Sequence, residues 1–310
     1  MLFIAEYIIL ILLKASTWLL NLLPLRIRIK LVEHLIRSTV LFFPKYKKVS
    51  FINLRHVFPE KNQSELNSIY QKSFNHIARL IVDTLRLPSL NTEWIKNNVE
   101  IDFELFQSLK SKTPHRSILY PTGHLGSFPL MAHAVAEYGF PLNFIVRNFS
   151  LTKIDQWWCS LLELNGNQVI PRKGAVSVML KKLSGGQDCG VLFDQNVKRN
   201  YAIFIDFFGR PAATTFAVGL AAVRTQPLVV VASMFYDESC DKYKVVTDYC
   251  ECDDIYQDQT MSQENKILEI TQRTSKLFEK HILAFPQGWF WMHQRWKTAI
   301  EGQSETFYKS

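Results

Sequence analysis

The hydrophobic pattern is strongest at the amino terminus. Residues 7–13 form an unbroken apolar run, and apolar side chains return after Lys14 and continue to Leu25. The segment is about as long as a bilayer core requires, and its apolar residues surround the helix instead of forming one stripe, so residues 1–25 predict a membrane-anchoring helix. A buried core helix is the alternative, which Lys14 supports. The pattern leaves open whether the helix spans the bilayer or lies flat.

The flanks of this segment indicate its orientation. Glu6 before the run and Pro24 after it do not fit a cleaved secretory signal, which needs a basic start and small residues at its end. A basic excess follows and favours an inner-membrane protein whose remaining chain faces the cytoplasm. The basic residues are Arg26, Arg28, Lys30, Arg37, Lys45, Lys47 and Lys48.

Residues 26–310 predict a single α/β domain, because helical and strand-like patterns alternate without an internal repeat or a flexible linker. The alternation favours a mixed, mostly parallel sheet flanked by helices. The helical patterns cover 64–87, 131–138, 153–164, 176–183 and 216–223, and the strand-like runs cover 117–122, 142–146, 190–193, 228–232 and 243–249.

Two loops that carry reactive side chains directly follow apolar, strand-like runs. In open α/β sheets, functional residues lie mostly at the carboxyl ends of the strands. The first is Thr122-Gly123-His124, in which the imidazole could accept a proton near neutral pH. The second is Asp194-Gln195-Asn196, with the nearest strand-end carboxylate. Structural hydrogen bonding is the ordinary alternative for both side chains.

Charge narrows the class of partner. The 310 residues carry a formal net charge of +8, which favours an anionic membrane, an acidic carrier protein or nucleic acid. The five cysteines are odd in number and, apart from one C-x-C pair, lack metal-ligand spacing, so they predict reduced thiols in a cytoplasmic domain. Phosphate-loop, dinucleotide, zinc-protease and nucleophile-elbow motifs are missing from the sequence, which removes most common enzyme classes.

Three arginines are candidates for binding an anionic substrate. Arg147 and Arg210 could each meet a phosphate or carboxylate, although a surface salt bridge is the default for a lone arginine. Arg295 lies in a carboxyl-terminal segment that mixes cations with Trp289, Trp291 and Trp296, a composition suited to the lipid headgroup layer. The same mixture could stack nucleic-acid bases, but no nucleic-acid motif accompanies it.

Five segments, in order along the chain, resemble the bacterial lipid A late acyltransferases, the lauroyl/myristoyl group of the lysophospholipid acyltransferase superfamily. They are 53–60 (NLRHVFPE), 122–128 (TGHLGSF), 194–196 (DQN), 207–215 (FFGRPAATT) and 286–298 (PQGWFWMHQRWKT). The resemblance implies transfer of a fatty acyl chain from acyl carrier protein, or less often from a coenzyme A thioester, to a hydroxyl of a membrane glycolipid, without a metal or organic cofactor. It also implies His124 as catalytic base and Gln195 among the substrate-binding residues.

The chain departs from the family pattern at two positions. The family places an acid five residues after the histidine, where this chain has Pro129, and Glu163 aligns with a position that is usually arginine. We therefore expect another group to orient His124, with Glu163 as first choice, Asp194 as second and a backbone carbonyl as third. A transferase for another lipid acceptor and a catalytically silent lipid-binding protein are the alternatives.

Overall fold

The computed structural model describes residues 2–102, 104, 107, 108, 111, 113–146, 149–303 and 305–309, with side chains from Ala5 onward. Helices dominate the first hundred residues: α1 (Leu2–Asn21), α2 (Leu25–Leu41), α3 (Pro44–Val57), α4 (Gln63–Arg86) and α5 (Thr92–Asn98). Local chemistry fixes their starts. Pro44 begins α3, where its missing N–H costs nothing, and Asn62 caps α4 by accepting from Ser64 N and Glu65 N.

Strands and helices alternate in the remainder, as predicted. The strands are β1 (Val99–Ile101), β2 (Ile118–Thr122), β3 (Asn143–Val146), β4 (Gln168–Pro171), β5 (Cys189–Leu192), β6 (Ala202–Phe207), β7 (Arg210–Thr215), β8 (Leu228–Asp237) and β9 (Lys242–Cys250). The helices are α6 (Phe128–Glu137), α7 (Thr152–Leu162), α8 (Ala175–Ser184), α9 (Ala217–Thr225), α10 (Asp253–Gln257) and α11 (Gln263–Ala284).

Seven strands form one sheet in the order β1-β9-β8-β2-β5-β3-β4, and β6 pairs with β7 as a separate antiparallel hairpin. Neighbouring strands are parallel except for β8 and β9. The predicted mixed, mostly parallel sheet flanked by helices is confirmed. The central strand β2 is buried along its whole length, because helices cover both faces of such a sheet.

The amino-terminal segment differs from its prediction. Within the described part of the chain, no helix is both long enough and apolar enough to cross a bilayer, so a membrane-spanning helix over residues 1–25 is not supported. The buried-core alternative is wrong as well, because Ile11, Trp18 and Leu19 are exposed. One side of α1 rests on α7, where Lys153 N donates to the Glu6 carboxylate.

Candidate functional site

The register of two parallel strands brings His124 and Asp194 together. Thr122 at the end of β2 pairs with Leu192 at the end of β5, and each strand is followed two residues later by one member of the pair. The His124 Nδ1 atom lies 2.8 Å from Asp194 Oδ1, and the His124 backbone N–H donates to Asp194 Oδ2 at 2.8 Å. The two loops selected from the sequence therefore form one site.

Glycine between the strand and the histidine is a steric requirement. A Cβ atom on Gly123 would lie 2.7 Å from the Asp194 carboxyl carbon and 2.2 Å from a ring carbon of Phe278. Both distances are shorter than van der Waals contact, and Asp194 and Phe278 are buried. The close approach of loop and carboxylate depends on this missing side chain.

The Asp194 carboxylate is ionised. Burial opposes its charge, but the neighbouring His124 and hydrogen bonds from His124 and Trp289 outweigh burial and lower the Asp194 pKa to about 2. An ionised carboxylate only accepts hydrogen bonds, so the proton between the two side chains belongs to His124 Nδ1. In neutral His124, the unprotonated nitrogen is then Nε2, and the side chain is partly open to solvent, with 28% exposure.

Trp289 completes the support of Asp194 and was not selected from the sequence as a site residue. Its indole N–H donates to Asp194 Oδ2 at 2.9 Å. The headgroup-layer interpretation of this segment is wrong, because Trp289, Trp291 and Trp296 are all buried. The neighbouring Gly288 was the available signal, since a Cβ there would lie 2.3 Å from the Phe285 ring, which shows that the chain is tightly packed beside Trp289.

The carboxyl-terminal segment pairs directly with the His124 loop. Gly126 N donates to Gly288 O at 3.0 Å, and Phe290 N donates to His124 O at 3.1 Å. Gly126 has φ of +64°, and a Cβ there would lie 1.7 Å from Met234 O. Only glycine fits this position, because a side chain would meet the backbone of β8.

Asn53 belongs to the first of the five segments that resemble the family, and it binds the carboxyl-terminal segment. Its side-chain amide donates to Trp291 O and His293 O, both at 2.8 Å, and its Oδ1 atom accepts from Tyr308 OH at 2.7 Å. Asn53 is completely buried. The 53–60 segment therefore supports the loop that carries Trp289, and this loop in turn contacts His124.

Pro129 occupies the start of α6, one turn from the histidine. The residue is buried at the first turn of the helix, a position where proline is tolerated. The Phe128 ring beside it contacts the His124 ring edge-on, at 5.5 Å between centroids. Asp194, in the loop after β5, occupies the hydrogen-bonding position on Nδ1.

Glu163, the first-choice surrogate acid, is not brought to this histidine. It ends α7 with an exposed side chain, and its Oε1 atom accepts from Val169 N at 3.0 Å. This bond fastens the helix to β4. The pairing of His124 with Glu163 is therefore corrected in favour of the second choice, Asp194.

The other predicted binding residues lie in different settings. Gln195 and Arg210 are partly exposed, and the Arg210 guanidinium lies 4.3 Å from the Phe307 ring centre. Arg295 is completely buried, bound to Ala213 O and Thr214 Oγ1, and burial lowers its pKa to about 10. This placement opposes direct substrate contact by Arg295. Arg147 lies outside the described residues.

A second histidine–aspartate pair joins α11 to the sheet. His281 Nε2 is 2.9 Å from Asp248 Oδ2, and His281 Nδ1 is 2.9 Å from Ser233 Oγ. Ser233 and His281 are buried, so this pair braces α11 against β8 and β9. Across the residues that the structure describes, no cluster of three His, Cys, Asp or Glu side chains could hold a metal ion.

Comparison with known proteins assigns the chain to a family. The family model for bacterial lipid A biosynthesis acyltransferases matches residues 2–298. A lipid A biosynthesis acyltransferase of Haemophilus influenzae is 18% identical over 253 residues, covering 81% of this chain and 76% of that protein. The lipid A biosynthesis myristoyltransferase of Escherichia coli K12 is 21% identical over 267 residues, covering 84% and 78%. The resemblance found in the sequence is confirmed: the chain belongs to the bacterial lipid A biosynthesis acyltransferase family and is an acyltransferase.

Proposed function

We propose that the protein moves a fatty acyl chain from an acyl thioester to a hydroxyl of a lipid A precursor or a related glycolipid, with His124 as general base. One observation carries the proposal: the buried carboxylate of Asp194 holds Nδ1 of a partly exposed histidine. This arrangement supplies the orienting acid that the sequence lacks at Pro129.

The proposed reaction uses His124 as a proton carrier. Its Nε2 atom takes the proton of the acceptor hydroxyl as that oxygen attacks the thioester carbonyl carbon. The carbon–sulfur bond then breaks, an ester forms, and the imidazolium returns the proton to the departing thiolate. Asp194 stays ionised throughout and stabilises the transient imidazolium, as the acid of a serine-protease triad does.

The donor and the remaining contacts are inferred from charge. Acyl carrier protein is the favoured donor, because a net charge of +8 would attract an acidic protein. Gln195, next to Asp194, and Arg210, on the β6–β7 hairpin, are the proposed substrate-binding side chains, and Arg147 is retained from the sequence prediction. If the donor is acidic, raising the salt concentration should slow encounter far more than turnover at saturation.

We place the protein at the inner membrane, with this site facing the cytoplasm. The support is α1, whose exposed apolar residues Ile11, Leu12, Trp18 and Leu19 would lie in the interface between headgroups and acyl chains. Full-length protein should then pellet with membranes. Its recovery in the soluble fraction without detergent would contradict this placement.

The second candidate function is lipid binding without acyl transfer. It is favoured only by Pro129, which stands where the family has an acid. The decisive test compares wild type with His124→Ala, using acyl carrier protein or coenzyme A thioesters and a lipid A precursor, with products read by mass spectrometry. We expect about 10²–10⁴-fold slower transfer in the variant, the usual contribution of a general base. Equal product formation by both folded proteins would remove the mechanism, and no product from either would favour the silent protein.

A further inference from the structure

The corner between α2 and α3 carries an exposed apolar cluster. Leu41, Phe42 and Phe43 are consecutive and are 82%, 81% and 53% exposed. Single exposed apolar residues are ordinary, but a contiguous group of this kind marks a surface that binds something. The corner lies outside the His124 site and has no part in the proposed reaction.

A cationic cleft between α3 and α4 adjoins this corner, since its lining begins at Pro44, the residue after Phe43. Its volume is about 410 Å³, and its lining includes Lys47, Lys48 and Arg55. The ring of Phe51 and the amides of Gln63 and Asn67 complete most of the wall. The cleft therefore combines three positive charges with neutral hydrogen-bonding groups.

The charges in the cleft are left uncompensated. Arg55 donates to the neutral amide oxygen of Gln63 at 3.0 Å. The nearby carboxylates of Glu60 and Glu65 lie 4.0 and 3.8 Å from Lys61 instead. Among the residues described here, no ion pair involves Lys47, Lys48 or Arg55, so their field is available to an anion.

The apolar surface continues along α2. Ile27, Leu31 and Leu35 recur every fourth residue and are exposed, which places them in one stripe that runs toward the corner. An acidic protein partner would need only the cations and would leave the apolar stripe without a role. A stripe of aliphatic residues that ends in two exposed phenylalanines beside the cations matches a bilayer, in which anionic headgroups lie above an acyl layer.

We propose that this corner is a second membrane-docking site, separate from α1: the cleft of Lys47, Lys48 and Arg55 binds the phosphate of an anionic phospholipid headgroup, and Leu41, Phe42 and Phe43 insert beneath it. The site recognises bilayer lipid whatever chemistry takes place at His124. Together with α1, whose membrane contact belongs to the proposed function, the corner would also fix the orientation of the protein on the membrane.

The test measures binding of the full chain to vesicles of phosphatidylcholine alone and of phosphatidylcholine with an equal amount of phosphatidylglycerol. Lys47→Glu/Lys48→Glu should weaken binding to the anionic vesicles by about tenfold or more and leave binding to neutral vesicles unchanged. Lys173→Glu/Lys280→Glu is the matched control, since it reverses two other exposed lysines with the same change in charge. Equal effects of the two double variants would overturn the proposal.

A local measurement separates the corner from α1. Backbone hydrogen exchange over residues 41–55 should slow on addition of anionic vesicles, and this protection should be lost in Phe42→Ser/Phe43→Ser. Unchanged exchange in the wild type would overturn the site. So would the finding that Lys47→Glu/Lys48→Glu abolishes binding of acyl carrier protein but spares the anionic vesicles, because the cleft would then be a protein-docking surface.

Discussion

Two histidine–aspartate pairs in this protein have the same chemistry and opposite burial. In the first, His124 is 28% exposed and Asp194 is 2% exposed, whereas in the second His281 is 2% exposed and Asp248 is 40% exposed. In the first pair the carboxylate holds one ring nitrogen, and we propose that the other meets the substrate. In the second both nitrogens are occupied, by Asp248 and Ser233.

The difference shows which arrangement suits general-base catalysis. A base needs an accessible nitrogen, and its orienting acid needs to stay ionised and fixed, which burial among three donors achieves for Asp194. A buried imidazole with two partners instead links secondary-structure elements. The histidine–aspartate distance does not distinguish the two pairs, since it is 2.8 Å in the first and 2.9 Å in the second.

The largest expected effect comes from replacing the aspartate of the first pair by asparagine. The same substitution in the second pair is its control. Asp194→Asn should reduce transfer by about 10³–10⁴-fold, because an amide in this position can favour the wrong imidazole tautomer. Asp248→Asn should leave the rate per folded molecule unchanged. Both rates are measured with the thioester assay on protein whose folding has been checked by circular dichroism, and similar losses in the two variants would contradict the contrast.

The fold was largely predictable because local patterns agreed with it. The buried run 117–122 became β2, and the amphipathic pattern 64–87 became α4, Gln63–Arg86. The short edge strands β1 and β4 and the β6–β7 hairpin were not predicted. Edge strands of three or four residues contain too few alternating positions to be distinguished from loops.

The site was predictable in part. Each loop could be found from the strand that precedes it, but the pairing of His124 with Asp194 depends on the neighbouring positions of β2 and β5, which follow from the strand order of the whole sheet. Glu163 was chosen because an acid and an arginine appeared to have exchanged positions relative to the family. Such a pattern does not show how far the Glu163 side chain lies from His124. Trp289 was missed because its N–H reaches Asp194 only through the backbone pairing with residues 124–126.

The second effect separates stability from activity. His281→Leu removes both hydrogen bonds of the bracing pair and leaves the buried Ser233 hydroxyl without its partner, so unfolding should become easier by about 1–3 kcal/mol. Transfer per folded molecule should persist. His124→Ala is the counterpart: it should also ease unfolding, because it removes a donor from the buried Asp194 carboxylate, but it alone should lose transfer per folded molecule. Loss of activity in folded His281→Leu would assign the second pair a functional role.

The third effect distinguishes the pairs by pH. The Asp194 pKa is lowered from 3.8 to about 2, so its contribution is complete above about pH 4 and is lost as pH falls toward 2. That shift corresponds to roughly 2 kcal/mol. Burial lowers the pKa of His281 from 6.5, so the contribution of its neutral form is complete above that pH and falls below it. The free energy of unfolding in urea, measured at several pH values for the wild type, Asp194→Asn and His281→Leu, gives the contribution of each residue. If both contributions were lost over the same pH range, the assignment of the low-pH loss to Asp194 and of the loss below pH 6.5 to His281 would be wrong.

The smallest effect tests the hydrogen bond that Trp289 donates to the His124–Asp194 pair. Trp289→Phe keeps a buried aromatic ring but removes the N–H that binds Asp194, one of three donors that hold the carboxylate. A hydrogen bond to a charged group is worth about 1.5–3 kcal/mol, so we expect transfer to fall by about tenfold as the carboxylate gains freedom.

Trp291→Phe is the matched control, because Trp291 is equally buried but donates to the backbone oxygen of Pro286. The specific readout is the carboxyl ¹³C titration of Asp194, whose pKa should rise in Trp289→Phe and stay low in Trp291→Phe, since the indole bond favours the ionised form. A merely structural tryptophan would change stability alike in both variants and leave this pKa unmoved. An unchanged Asp194 pKa together with a normal rate would show that the two donors from His124 are sufficient to position the acid.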